Sequence, residues 1–156
     1  MCRGRKAIVK FYSQEKIYFV RRSIYGNWSN AQQSNNISSF FSEHSFKTGL
    51  VFITSGILDS SLSEDKHLSV NYQLPINIIN AVESLNLKVI TFGTILENII
   101  KVQNNYVKSK TVLKNHIRDS AFSNSLHIQL NTLYGKFVPK EFMFLGQIYD
   151  SLKKNQ

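Results

Sequence analysis

Three apolar runs constrain this chain more than any other feature. GLVFITSG at 49–56, LKVITFGT at 87–94 and SLHIQLNTLYG at 125–135 are short, rich in β-branched residues and closed by Gly or a small polar residue, the pattern of strands. The first two are nearly continuous in apolar residues, which predicts strands buried on both faces. Between them lies LSVNYQLPINIINAVESLN, and between the second and third lies YVKSKTVLKNHIRDSAF, both with apolar residues at helical spacing. Parallel strands need a crossover of about a dozen residues or more, usually a helix. The alternation therefore predicts an α/β fold with a parallel sheet and helices on both faces.

The flanks extend the pattern. RKAIVKFYSQE at 5–15 has helical spacing, and KIYFVRRS at 16–23 reads as a further strand. Residues 24–49 are dominated by Asn, Ser and Gln, with ISSFFSEHSF as a short helix between Gly26 and Gly49. A Ser/Asp-rich loop is expected from 57 to about 66, and Pro75 predicts a kink or a late start in the helix after it. EFMFLGQIYDSLKK closes the chain as an amphipathic segment. No internal repeat or second domain is visible, and 156 residues with 42% hydrophobic content fit one domain, 1–156.

Composition removes several classes of function. The single cysteine, Cys2, allows no internal disulfide, and the four histidines lack ligand spacing, so no metal is expected. No apolar stretch reaches the roughly 20 residues of a membrane span, and Lys10 interrupts the one short apolar run that could begin a signal peptide. A cytoplasmic protein without membrane attachment is the expectation. The net charge of +9 raises nucleic-acid binding. Its distribution argues against it: Arg3, Arg5, Lys6, Lys10, Lys16, Arg21 and Arg22 crowd the N-terminal part, the rest are scattered, and no nucleic-acid motif is present. A basic balance equally suits an anionic nucleotide ligand.

NNYVKSK at 104–110 carries the chemistry. On a helix, Tyr106 and Lys110 share a face. A neighbouring ammonium stabilises phenolate and lowers a tyrosine pKa toward neutrality, where the phenol can exchange a proton with a sugar or alcohol hydroxyl. The same spacing recurs at Tyr12/Lys16 and Tyr149/Lys153, so spacing alone decides nothing. Context does: Tyr106 follows a strand and a loop, where ligands sit in open α/β sheets. Thr94 closes that strand with a hydroxyl that could meet a substrate oxygen or serve as an ordinary cap. Asn71 is a polar group of the central helix that could face the sheet or the solvent.

The succession of these pieces resembles the extended short-chain dehydrogenase/reductase superfamily, the NAD(P)-dependent nucleotide-sugar epimerases, dehydratases and reductases. GRKAIVKFYSQEKIYFVRRS is similar to its first helix and second strand, with Gly4 at the last glycine of the dinucleotide fingerprint. LVFITSG resembles the fourth strand, NYQLPINIINA the helix with its supporting Asn, LKVITFGT and YVKSK the fifth strand with its Ser/Thr and Tyr-x-x-x-Lys, and LHIQLNTLYG the sixth strand with a Tyr-Gly ending. The resemblance implies a Rossmann-like sheet and hydride transfer between a nicotinamide and a sugar carbon. Tyr106 would be the acid/base, Lys110 would lower its pKa and hold the nicotinamide ribose, and Thr94 would orient the sugar hydroxyl. Gly4, Arg21, Arg22, Ser55, Asn71 and Lys110 would form the cofactor side, the two arginines at a strand end favouring the 2′-phosphate of NADP over NAD.

Only MCR precedes Gly4. The family's first strand, its glycine-rich phosphate turn and its C-terminal sugar-binding region are therefore expected to be missing, which predicts a truncated or low-activity member. Unpaired strand edges would favour a homo-oligomer or another protein partner. The competing readings are a non-catalytic α/β interaction protein and, less favoured, a basic nucleic-acid-binding domain.

Overall fold

A computed structural model describes residues 17–43, 49–59, 61–99, 101, 104–120, 122–131 and 151. The expected helix at 5–15, Gly4, Tyr12/Lys16, the Tyr-Gly ending at 134–135 and the closing amphipathic segment lie outside this set, apart from the isolated residue 151.

In chain order the elements are α1 (Arg22–Tyr25), a 3₁₀ turn (Ala31–Gln33), α2 (Ser34–Glu43), β1 (Gly49–Ile53), α3 (Glu64–Leu68), a π-helical turn (Ser69–Gln73), α4 (Leu74–Val82), β2 (Leu87–Thr94), a second 3₁₀ turn (Ile95–Asn98), α5 (Asn105–Asp119) and β3 (Ser125–Leu130). The strands form a parallel sheet in the order β1-β2-β3. Its register places Val51 beside Val89 and Thr91 beside His127. Each crossover is helical: α3 through α4 joins β1 to β2, and α5 joins β2 to β3.

Alternation along the strands decides what faces the helices. Ile53, Leu87 and Val89 lie in one buried core with Ile79 and Val82 of α4 and Leu113 and Ile117 of α5. Trp28, Ile37 and Phe41 extend this core against α4, and Asn77 Nδ2 donates to the Trp28 carbonyl at 2.8 Å, tying the N-terminal elements to the crossover.

The expectation that GLVFITSG is buried on both faces is corrected. The strand ends at Ile53, and Leu50 and Phe52 are 58% and 45% exposed, as is Leu126 of β3 at 55%. An apolar run marks a strand but does not say which of its faces is covered. KIYFVRRS is also corrected: residues 17–21 carry no strand, and Arg22 opens a helical turn. Tyr18 and Phe19 are exposed, and β-propensity alone does not make a strand.

The central helix begins earlier than its periodicity suggests. Ser63 Oγ accepts from the Lys66 amide and caps α3, so the helix starts at Glu64 within the expected loop. Pro75 lies at the start of α4, and the turn before it widens so that the Leu74 N–H bonds to the Ser69 carbonyl, a five-residue step. A proline cannot donate to the carbonyl four residues back, and the π-turn takes up this mismatch.

Gly93 is required by space. A Cβ there would overlap Glu97 Oε1 and His127 Nε2, whose hydrogen bonds hold them in place. At Gly49 a Cβ would meet only Leu87 Cδ2, at 3.4 Å. Gly93→Ala should therefore destabilise the fold by about 1–3 kcal/mol or more in chemical denaturation, whereas Gly49→Ala should stay within about 0.5 kcal/mol of the parent.

Candidate active site

The carboxyl ends of β1 and β2 converge with the first turns of α5, and Asn71 joins them. Asn71 is fully buried in the π-turn. Its Oδ1 accepts from the Ile57 amide at 2.9 Å. Its Nδ2 lies within reach of the Ile57 carbonyl (3.0 Å), Ser109 Oγ (3.1 Å) and His67 Nδ1 (3.3 Å), which share its two hydrogens. His67, also buried, donates Nε2–H to the Asp59 carbonyl at 2.9 Å. The loop after β1 is thus held by side chains of the crossover helix, and a buried polar group of this kind stabilises only when it is fully bonded.

Helix α5 enters the site through its cap. Asn104 Oδ1 accepts from the Val107 amide at 2.8 Å, which places Tyr106 in the first turn and Lys110 in the second. Ser109 Oγ donates to the Tyr106 carbonyl at 2.8 Å while it accepts from Asn71. Lys110 is 6% exposed. Among the described residues, no hydrogen bond or ion pair reaches its ammonium or the Tyr106 hydroxyl. Gly56 lies beside it: a Cβ there would stand 3.8 Å from Lys110 Nζ and 3.3 Å from Asn71 Oδ1. The glycine keeps open the space next to a buried cation.

A carboxylate lies beneath this face. Glu97 is buried in the 3₁₀ turn after β2. Its Oε1 accepts from the Thr94 amide at 2.6 Å, and its Oε2 accepts from His127 Nε2–H at 3.1 Å and Gln129 Nε2 at 3.0 Å. His127 Nδ1 and the Thr91 hydroxyl are hydrogen-bonded at 2.8 Å, and the same hydroxyl donates to the Leu126 carbonyl at 3.4 Å. Burial opposes ionisation of Glu97 more than any single bond favours it. The bonds from His127, Thr94 and Gln129, with attraction to His127, together hold its carboxyl below the ordinary glutamate value. Thr94 completes a capping box: its hydroxyl oxygen accepts backbone N–H groups of the turn, with Leu96 N at 3.3 Å.

These groups set the electrostatics. Burial pushes the Lys110 ammonium down to about 8, with Glu97 pulling the other way. The expectation that Lys110 draws the Tyr106 phenol toward neutrality is corrected: burial, and then the negative charge of Glu97, raise it above its ordinary value. Desolvation disfavours phenolate, and a nearby carboxylate adds to that cost.

The sequence-derived residues divide accordingly. Tyr106, Lys110, Asn71 and Thr94 lie on the elements that meet at the strand ends, and Ser55 is half-buried next to Gly56. Arg21 and Arg22 are exposed, Arg21 before α1 and Arg22 at its start, not at a strand end. Their hydrogen bonds link them to neither Lys110 nor Asn71. Gly4 is outside the described residues. Sequence reasoning missed Glu97, His127, Ser109 and His67. The Thr-x-x-Glu spacing of TILE was the one legible signal, as a capping box.

Neither a family model nor a curated protein matches this sequence. Solved structures do. The dTDP-4-dehydrorhamnose reductase from Yersinia enterocolitica superposes with a TM-score of 0.63 at 17% identity, over 96% of this chain and 56% of the reductase. The fold is Rossmann-like. The chain spans about half of that enzyme's length. An alcohol dehydrogenase from the archaeon Thermococcus sibiricus, complexed with 5-hydroxy-NADP, is similar at a TM-score of 0.48 and 12% identity, over 82% of this chain and 65% of the dehydrogenase.

Lys110 thus places a largely buried side chain beside the space kept by Gly56. Its charge has a testable consequence. The folded chain releases the Lys110 proton near pH 8 while the unfolded chain keeps it to about 10.5, so stability rises with pH between these values. Relative to Lys110→Met, the parent should gain about 2 kcal/mol between about pH 7.5 and about pH 9.5 in urea unfolding, since each unit of pKa difference is worth about 1.4 kcal/mol. Parallel curves for the two proteins would contradict this.

Proposed function

We propose that the chain is an NAD(P)-dependent nucleotide-sugar oxidoreductase of the reductase, epimerase or dehydratase kind. The observation that carries this reading is the buried, unpartnered Lys110 ammonium beside Gly56, on the same helix face as Tyr106. The keto-sugar nucleotide named for the Yersinia reductase indicates the substrate class to try first.

In this reading Lys110 donates hydrogen bonds to the hydroxyls of the nicotinamide ribose, and a bound nicotinamide supplies or accepts hydride. Tyr106 gives a proton to, or takes one from, the sugar oxygen at the reacting carbon. Its raised pKa in the free chain suits proton donation, the reductive direction. The Thr94 hydroxyl keeps its proton free while its oxygen caps the turn, so it can donate to the same sugar oxygen. Asn71 and Ser109 hold the loop and helix so that Lys110 and Tyr106 keep one orientation, the preorganisation on which such a site depends.

The test is titration with NADPH and with NADH, followed by nicotinamide fluorescence at moderate salt. Saturable binding is expected. Lys110→Met should weaken it by about tenfold or more, equivalent to about 1.4 kcal/mol. Tyr106→Phe should leave binding within about threefold and abolish turnover of keto-sugar nucleotides, because it removes only the proton in transit. A folded chain that binds neither dinucleotide would overturn the proposal and favour the non-catalytic interaction protein.

A further inference from the structure

Glu97 has a place in this site that its sequence position does not announce. Its carboxylate is enclosed, with no exposed side-chain surface, and His127 is 5% exposed. Both oxygens are engaged by groups from two strands, the Thr94 amide of β2 and the His127 and Gln129 side chains of β3. The absence of a side chain at Gly93 is what admits it. The turn it caps packs against α5. One turn after Lys110, Lys114 Nζ reaches the Glu97 carbonyl at 3.5 Å and Asn98 Oδ1 at 3.1 Å. Tyr106, Lys110 and Lys114 succeed one another at four-residue intervals, so the helix face carrying the proposed acid/base and ribose donor is the face turned toward Glu97.

A buried carboxylate is costly unless it is paired and hydrogen-bonded, and Glu97 is both. We infer that Glu97 is a positioning residue, which clamps the strand-end turn carrying Thr94 and supplies the buried countercharge for the Lys110 ammonium. Its role in turnover rests on the function proposed above, but its action on Lys110 and Thr94 does not. The electrostatics agree: Glu97 favours the charged form of Lys110 and disfavours phenolate at Tyr106. The other titratable groups around Lys110 are Tyr106 and Lys114 on its own helix, His127 behind Glu97, and His67 and Asp59 of the loop beyond Asn71.

The experiment compares wild type, Glu97→Gln and Glu97→Asp without ligand. The Lys110 side-chain amine is titrated by carbon-detected NMR of labelled lysine, assigned with Lys110→Met. Glutamine keeps an acceptor for the Thr94 amide and removes the charge, so the Lys110 midpoint should move to lower pH. Aspartate keeps the charge and should hold the midpoint nearer the wild-type value. A purely structural residue would not move this titration, and equal midpoints in wild type and Glu97→Gln would overturn the inference.

Should Glu97→Gln fail to fold, wild type alone decides. The Glu97 carboxyl carbon should titrate below the ordinary glutamate range, and the Thr94 amide proton should follow the same midpoint. A Glu97 titrating in the ordinary range, with an indifferent Thr94 amide, would overturn the inference. NADPH titrations then separate the two claims. With the function as proposed, Glu97→Gln loses affinity increasingly as pH rises above about 7, because its Lys110 discharges earlier. Failure of wild type to bind NADPH would sink the proposed function and leave the Lys110 midpoints to decide the role of Glu97.

Discussion

Burying the Lys110 ammonium at the carboxyl ends of a parallel sheet costs free energy that only a nearby carboxylate or an oxygen-rich ligand can offset, and the surrounding architecture is arranged around that cost. Helix α5 is fixed at its start by the Asn104 cap and at its second turn by the bond from Asn71 to Ser109. Glu97 lies within electrostatic range but not in contact, which lowers the cost without occupying the donors of the ammonium.

The backbone is shaped for the same end. The π-turn ahead of Pro75 places Asn71, rather than an apolar residue, against the loop after β1. The proline and the asparagine are therefore two parts of one device: the helix is widened where its hydrogen-bond ladder must be interrupted, and the widened turn is where the polar group is needed. Gly93 in β2 and Gly56 after β1 serve the same end, one admitting the Glu97–His127 pair and the other keeping space beside Lys110.

Most of the frame was legible because burial imposes a period. The nearly continuous apolar run LKVITFGT and the helical spacing of YVKSKTVLKNHIRD specify β2 and α5 to within a few residues. KIYFVRRS misled because propensity is local and a ladder is not. GLVFI misled about its faces because the cover of a sheet comes from elsewhere in the chain. In the site, Tyr106, Lys110 and Asn71 could be picked out by spacing and order. The Glu97–His127 pair could not: its members are thirty residues apart and meet only through the β2–β3 register. The direction of the Tyr106 shift failed for a related reason, since a sequence shows that a lysine is near but not that both groups are desolvated.

The most direct measurement is a crystal structure of the chain grown with saturating NADPH. Nicotinamide-ribose hydroxyls are expected within about 3 Å of Lys110 Nζ, beside Gly56, with the Glu97 cluster unmoved. A dinucleotide bound elsewhere, or one seated at the strand ends with the Lys110 ammonium still unpaired, would contradict this placement.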